Sequence, residues 1–147
     1  MYRNILVPID GSETAGLGLH EAIQLARTLG AQIRVLHVVN QTPWLAGGPP
    51  RMIEELISQL RSTGESIVHE AATAARAAGL EVQNRLIEAP GDRVGQIIVA
   101  EAREWPADLI VCGTHGRRGL RRILMGSDAE YVVRHSPVPV LLIRARG

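Results

Sequence analysis

The sequence predicts one α/β domain, in which helices cover both faces of a doubly wound, Rossmann-like parallel sheet of five strands. Three observations predict this architecture. Short apolar runs alternate with longer segments whose apolar residues recur every three or four positions. Glycine and proline turn signals separate the two kinds of segment. The chain has 147 residues, which suits a single domain over residues 1–147.

The first two strands are predicted on either side of a helix. Residues 5–9 form a compact apolar run that ends at a turn. Ser12 is the expected N-cap of the following helix, and Gly30 ends that helix. Residues 33–39 form the second strand. A strand, a helix and a strand in succession favour parallel pairing.

A loop and a long helix are predicted next. Residues 40–50 contain Gly47-Gly48-Pro49-Pro50, which interrupts regular structure. An apolar stripe at helical spacing follows, and Gly79 closes it. Gly64 lies inside this stripe and is a weak point at which the helix could kink or break.

The second half of the chain continues the alternation of strands and helices. Its predicted elements are an edge strand at 81–88, a helix at 94–102, a buried strand at 108–113, a helix at 127–134 and a last strand at 138–143. The prolines at the start of the last strand indicate a second sheet edge. A long apolar edge favours pairing with another chain.

Composition excludes several classes of function. All 16 basic residues are arginine, so neither a P-loop nor lysine Schiff-base chemistry is possible. The net charge of +1 gives no general attraction to nucleic acid, and no apolar run has the length of a membrane span. The five histidines lack metal-ligand spacing, and the single cysteine, Cys112, is expected to be a buried, inert thiol. These features favour a cytoplasmic protein without a metal site.

One segment carries the chemistry that points to a ligand. Gly113-Thr114-His115-Gly116 follows the buried fourth strand, and Gly126-Ser127 opens a helix after nine further residues. Ligands of doubly wound sheets bind beyond the carboxyl ends of the strands. Glycines allow close backbone approach, and a helix N-terminus attracts anions. Four arginines at 117, 118, 121 and 122 add positive charge. The segment therefore predicts a loop that wraps a polyphosphate.

The same segment can also be interpreted without a ligand. Glycines after a strand are often simple turns, and the arginines could form a solvated surface. Ser127 and Glu130 match a Ser-x-x-Glu capping box, which would explain Ser127 by helix capping. The alternative to nucleotide binding is therefore an interaction module with the same fold.

The spacing Gly-x2-Gly-x9-Gly-Ser resembles the ATP-binding signature of the universal stress protein family. The similarity extends to residues 5–12, 36–39 and 135–143. It implies the strand order 3-2-1-4-5, with ATP held between the first and fourth strands. It also implies a homodimer through strand 138–143 and a regulatory role in stress response, with at most slow ATP hydrolysis and no catalytic residues.

The resemblance assigns residues to the two ends of the nucleotide. Pro8, Ile9, Asp10 and Val38 match positions beside the nucleoside. A carboxylate at 10 can accept hydrogen bonds from ribose hydroxyls, although Asp before Gly is also a common turn pair. The matching phosphate positions are Gly113, Gly116, Gly126 and Ser127, with Thr114, His115 and Arg117 as further donors.

Asp128 departs from the family pattern, which often has a neutral residue there. An acid in a first helical turn suits the helix dipole but repels a bare phosphate. Either a divalent ion such as Mg²⁺ bridges the two, or Asp128 points away from the phosphate. We expect the second arrangement, since it needs no extra ligand.

Overall fold

The computed structural model describes residues 1–41, 47–89, 91, 93–114 and 126–145. Strands and helices alternate along these ranges, as predicted. In chain order the elements are β1 (Asn4–Pro8), α1 (Glu13–Leu29), β2 (Gln32–Asn40), α2 (Pro50–Ala77), β3 (Val82–Ala89), α3 (Val94–Glu104), β4 (Leu109–Gly113), α4 (Ser127–His135) and β5 (Val140–Ile143). None of the described helices combines the length and hydropathy that a bilayer crossing requires.

The sheet has the order β3-β2-β1-β4-β5, which is the order that the resemblance implied. Each neighbouring pair is parallel, as the alternation of strands and helices predicted. Ile5 of β1 lies opposite Ile33 of β2 on one side and Leu109 of β4 on the other. The strand order reverses between β1 and β4. A crevice is expected there, because the chain leaves the two strands toward opposite faces of the sheet.

Alternation along the strands builds one core on each face of the sheet. Ile5 and Val7 of β1 point to the face covered by α1 and α2, where they join Ala22 and Ala72. Leu6 points to the opposite face, which α3 and α4 cover. Both faces are therefore apolar, which explains why the central strands read as continuous apolar runs.

The two edges of the sheet differ in polarity. On β3, Asn84 and Arg85 are exposed, and Arg76 of α2 reaches over to bond Oδ1 of Asn84 at 3.0 Å. On β5, Leu141 is 37% exposed and the strand pairs only with β4 within the described residues. One edge is polar and the other apolar.

Several predicted boundaries differ from the observed ones, and two of these differences have a clear physical reason. Pro50 belongs to α2 and not to the preceding loop, since proline fits the first turn of a helix, where its missing N–H is not needed. The last strand begins at Val140 and not at 138. The Ser136 hydroxyl bonds both the N–H and the C=O of Val138, which holds the backbone in a local turn.

No break occurs at the weak point Gly64, and α2 runs through it without interruption. A Cβ at this position would lie 2.7 Å from Cδ2 of His37 and 3.0 Å from Cδ1 of Leu86. The glycine thus permits close approach of α2 to β2 and β3. Tertiary packing here outweighs the low helix propensity of glycine.

Candidate functional site

A cavity of about 310 Å³ opens where the carboxyl ends of β1, β2 and β4 meet the beginnings of α1 and α4. It therefore lies at the reversal of strand order. The predicted site residues that line it are Pro8, Ile9, Asp10, Val38, Gly113, Thr114, Gly126, Ser127 and Asp128. His115, Gly116 and Arg117 lie outside the described residues, as does Trp44 of the 40–50 loop.

A buried histidine fixes the end of β1 beside this cavity. The N–H of Ile9 donates to the carbonyl of Leu36 at 2.8 Å. Nδ1 of His37 donates in turn to the carbonyl of Ile9 at 2.7 Å, which requires a proton on Nδ1 because a carbonyl only accepts. His37 was not among the predicted site residues. Only its position beside Val38, at the end of a strand, could have indicated a role at the cavity.

Asp10 stabilises a turn and also lines the cavity. Its Oδ1 accepts a hydrogen bond from the N–H of Ser12 at 2.9 Å. Ser12 is the N-cap of α1, as predicted, and its hydroxyl accepts from the N–H of Ala15 at 3.2 Å. These bonds hold the chain in a sharp turn from β1 into α1. The carboxylate of Asp10 is thereby held at the cavity.

Gly113 packs against the start of α1. A Cβ at this position would lie 2.8 Å from the carbonyl carbon of Thr14 and 2.9 Å from its oxygen. The absence of a side chain is thus explained by the close contact of β4 with α1. This reason is independent of any ligand, so Gly113 alone is no signal of phosphate binding.

Thr114 lines the cavity, and its hydroxyl is buried. Its N–H donates to the carbonyl of Ile143 at 3.0 Å, and its carbonyl accepts from the N–H of Gly126 at 2.7 Å. The residue is only 5% exposed, and its Oγ1 has no hydrogen-bond partner within the described part of the chain. A buried hydroxyl without a partner is unfavourable, and a bound polar ligand would relieve that cost.

The capping box predicted at the start of α4 was wrong. The N-cap is Gly126, so Ser127 is already helical and its side chain does not occupy the capping position. The Glu130 side chain pairs instead with Arg134, with 2.9 Å between Oε1 and Nη2. The first amides of α4 therefore have no cap from the N-cap side chain, and they begin at the cavity wall.

Asp128 faces a neighbouring helix. Its Oδ1 accepts a hydrogen bond of 3.3 Å from the N–H of Gly95, in the first turn of α3. The residue also contributes to the cavity lining. No group of three histidine, cysteine, aspartate or glutamate residues in the described ranges could hold a metal ion.

Cys112 forms part of the apolar cavity wall, and burial raises the pKa of its thiol to about 12. The pKa is higher in the folded protein than in the unfolded chain. The group therefore favours folding below pH ~8.5 and loses that contribution as the pH rises toward 12. We expect iodoacetamide to label the native protein at least about 100-fold more slowly than the urea-unfolded chain at mildly alkaline pH. Equal rates, measured by mass spectrometry, would contradict burial of the thiol.

Comparisons with known proteins cover nearly the whole chain. The profile of the universal stress protein family matches residues 1–144. A universal stress protein of Methanocaldococcus jannaschii is 34% identical over 146 residues, which cover 98% of this chain and 83% of the relative.

Solved structures agree with the fold. A member of the family from Burkholderia pseudomallei has a TM-score of 0.80 and 33% identity, and the match covers 98% of this chain and 97% of that one. The universal stress protein from Archaeoglobus fulgidus in complex with dAMP has a TM-score of 0.65 and 27% identity, with 97% and 98% of the two chains covered.

Proposed function

This chain belongs to the universal stress protein family, and from that premise we propose that it binds an adenine nucleotide, with ATP as the ligand. The observation that carries the proposal is a single cavity, located where the strand order reverses between β1 and β4, whose walls are of two kinds. Strand ends form an apolar wall suited to a nucleoside, and an uncapped helix start forms a wall suited to phosphate. The dAMP complex of the Archaeoglobus fulgidus relative supports the same class of ligand.

The nucleoside is proposed to lie against the ends of β1 and β2. Val38 lines the cavity there, and its backbone would form hydrogen bonds to the base edge. Pro8 and Ile9 form the adjoining wall, which the His37–Ile9 bond holds in place. Asp10 would accept hydrogen bonds from the ribose hydroxyls.

The phosphates are proposed to lie between β4 and α4. The amides after Gly126, including that of Ser127, would bind phosphate oxygens along the direction of the helix dipole. The Thr114 hydroxyl would donate to the same group or to the ribose. Gly113, His115, Gly116 and Arg117 belong to this proposal through the signature spacing, and Mg²⁺ would accompany the phosphates.

The proposed role is regulatory and not metabolic. The nucleotide would control a stress response in the cytoplasm, with at most slow hydrolysis, as the resemblance to the family implies. The protein is proposed to act as a homodimer through the strand predicted at 138–143. The exposed apolar side chain of Leu141, on an edge strand, supports that interface.

A calorimetric titration with ATP, ADP and AMP tests the proposed ligand. We expect Thr114→Val to weaken ATP binding about tenfold, because the variant keeps the shape of the side chain but loses the hydroxyl. Thr28→Val is the matched control, since Thr28 lies on the exposed part of α1 and bonds only the carbonyl of Gln24 among the hydrogen bonds identified. Gly126→Val should also lower affinity, by placing a side chain at the start of α4.

Two outcomes would contradict the proposal. One is a parent protein that shows neither heat of binding nor a rise in thermal stability with ATP, since a ligand specific for the native state must stabilise it. The protein would then be an interaction module of the same fold. The other is equal ATP affinity in the parent, Thr114→Val and Gly126→Val.

A further inference from the structure

Among the described residues, helix α3 has no capping side chain at its own N-cap; Asp92, which precedes that N-cap, lies outside the described residues. Its N-cap is Arg93, whose side chain makes no capping hydrogen bond, and its first turn contains no acidic residue. The first amides of a helix lack partners inside that helix, and they carry partial positive charge. An acceptor on a neighbouring helix can therefore stabilise the start of α3.

Asp128 of α4 supplies that acceptor. Its Oδ1 accepts the hydrogen bond from the N–H of Gly95, the second residue of α3. A carboxylate at this point takes the part that an N-cap side chain usually plays, and it also neutralises the positive end of the α3 dipole. The carboxylate of Asp128 thus interacts favourably with the start of α3.

The two helix starts are also in direct contact at Gly95. A Cβ on Gly95 would lie 2.9 Å from Cβ of Tyr131 and 3.1 Å from the carbonyl oxygen of Asp128. The glycine therefore permits α3 and α4 to approach closely, and the Asp128–Gly95 bond holds them at that separation. We call this contact of Gly95 with Asp128 and Tyr131 the α3–α4 joint.

We propose that Asp128 is a positioning residue for the nucleotide site, and that it fixes the start of α4 through the α3–α4 joint. Ser127 precedes Asp128 directly, so any movement of the joint moves the amides that face the cavity. This inference rests on the proposed function. It accounts for an acid beside a phosphate site, because the acid is directed to a helix start and holds the phosphate-binding amides in place.

Affinity measurements separate positioning from charge repulsion. We expect Asp128→Ala to bind ATP roughly fivefold more weakly than the parent, and Asp128→Asn, which keeps an acceptor oxygen, to bind within about twofold. Glu130→Ala is the matched control, since it removes an acid from the same helical turn without touching α3, and its affinity should not fall. Repulsion predicts the opposite sign, so an Asp128→Ala variant that binds as tightly as the parent, or more tightly, would overturn the proposal.

Hydrogen exchange at the Gly95 amide tests the joint in nucleotide-free protein. We expect Asp128→Ala to speed exchange of this amide about fivefold or more, and Asp128→Asn and Glu130→Ala to leave it nearly unchanged. Unchanged exchange in Asp128→Ala would overturn the proposal. Gly95→Ala, which forces the helices apart and keeps the carboxylate, should also weaken ATP binding and provides a second variant if Asp128→Ala does not fold.

The affinity measurement and the hydrogen-exchange measurement test different parts of the proposal. A parent protein that does not bind ATP would overturn the proposed function and with it the positioning role. The exchange rate would still decide whether Asp128 joins the two helices.

Discussion

Replacement of Arg34 by methionine is expected to lower the free energy of unfolding by about 3 kcal/mol. Arg34 lies on β2, and its Nη1 is 2.5 Å from Oε1 of Glu101 on α3. Glu101 is 2% exposed, whereas Arg34 is 20% exposed. The variant would leave a buried carboxylate without its nearest cation, and that carboxylate has little access to water. The loss of stability is larger because the variant also removes a cation–π contact, in which the Arg34 guanidinium lies 4.7 Å from the centre of the Trp105 ring.

Arg85→Met is the matched control for this prediction. Arg85 contacts the same carboxylate, with 3.4 Å between Nε and Oε1, but its side chain is 48% exposed. An exposed partner contributes little, so we expect a loss below about 1 kcal/mol. Urea unfolding of the parent and both variants measures the difference. If Arg34→Met and Arg85→Met lowered the free energy of unfolding equally, burial of the ion pair would not determine its contribution to stability.

Gly113→Ala is expected to lower the free energy of unfolding by about 2–3 kcal/mol. The added methyl group would overlap the backbone of Thr14, which is part of the first turn of α1 and cannot rotate away as a side chain could. Relief requires α1 and β4 to separate at the wall of the cavity. We therefore also expect weaker ATP binding in this variant, measured in the same titration as above.

Gly18→Ala tests the same interface from the helix side. A Cβ on Gly18 would lie 3.5 Å from the carbonyl carbon of Cys112, which is ordinary contact. Alanine also favours a helix over glycine by about 1 kcal/mol. We expect thermal and urea unfolding to show unchanged or raised stability. A loss in Gly18→Ala as large as that in Gly113→Ala would contradict the contact argument.

The sequence was sufficient to predict the order and type of every element in the described ranges. The reason is that the apolar period differs between strand and helix, and a sheet buried on both faces produces strong apolar runs such as 109–112. The strand order followed from the resemblance to a known family. The cavity position followed from a general property of parallel sheets, since their carboxyl ends meet at one edge.

Contacts between distant residues were not predictable in the same way. Gly64 looks like a helix breaker when only its neighbours in sequence are considered, yet its neighbour in space is His37. Ser127 and Glu130 matched a local motif, but the helix begins one residue earlier than that motif requires. The Asp128–Gly95 bond joins residues 33 positions apart. Patterns along the chain report local preference, and these features depend on which helices meet.

The unequal edges of the sheet set a limit on assembly size. If two copies join through β5, a twofold axis relates them and each uses its only apolar edge. The outer margins of the combined sheet are then the two copies of β3, where the exposed Asn84 and Arg85 oppose the addition of another strand. Growth therefore stops at a closed pair, and a fibre of stacked copies is disfavoured by the same polar side chains.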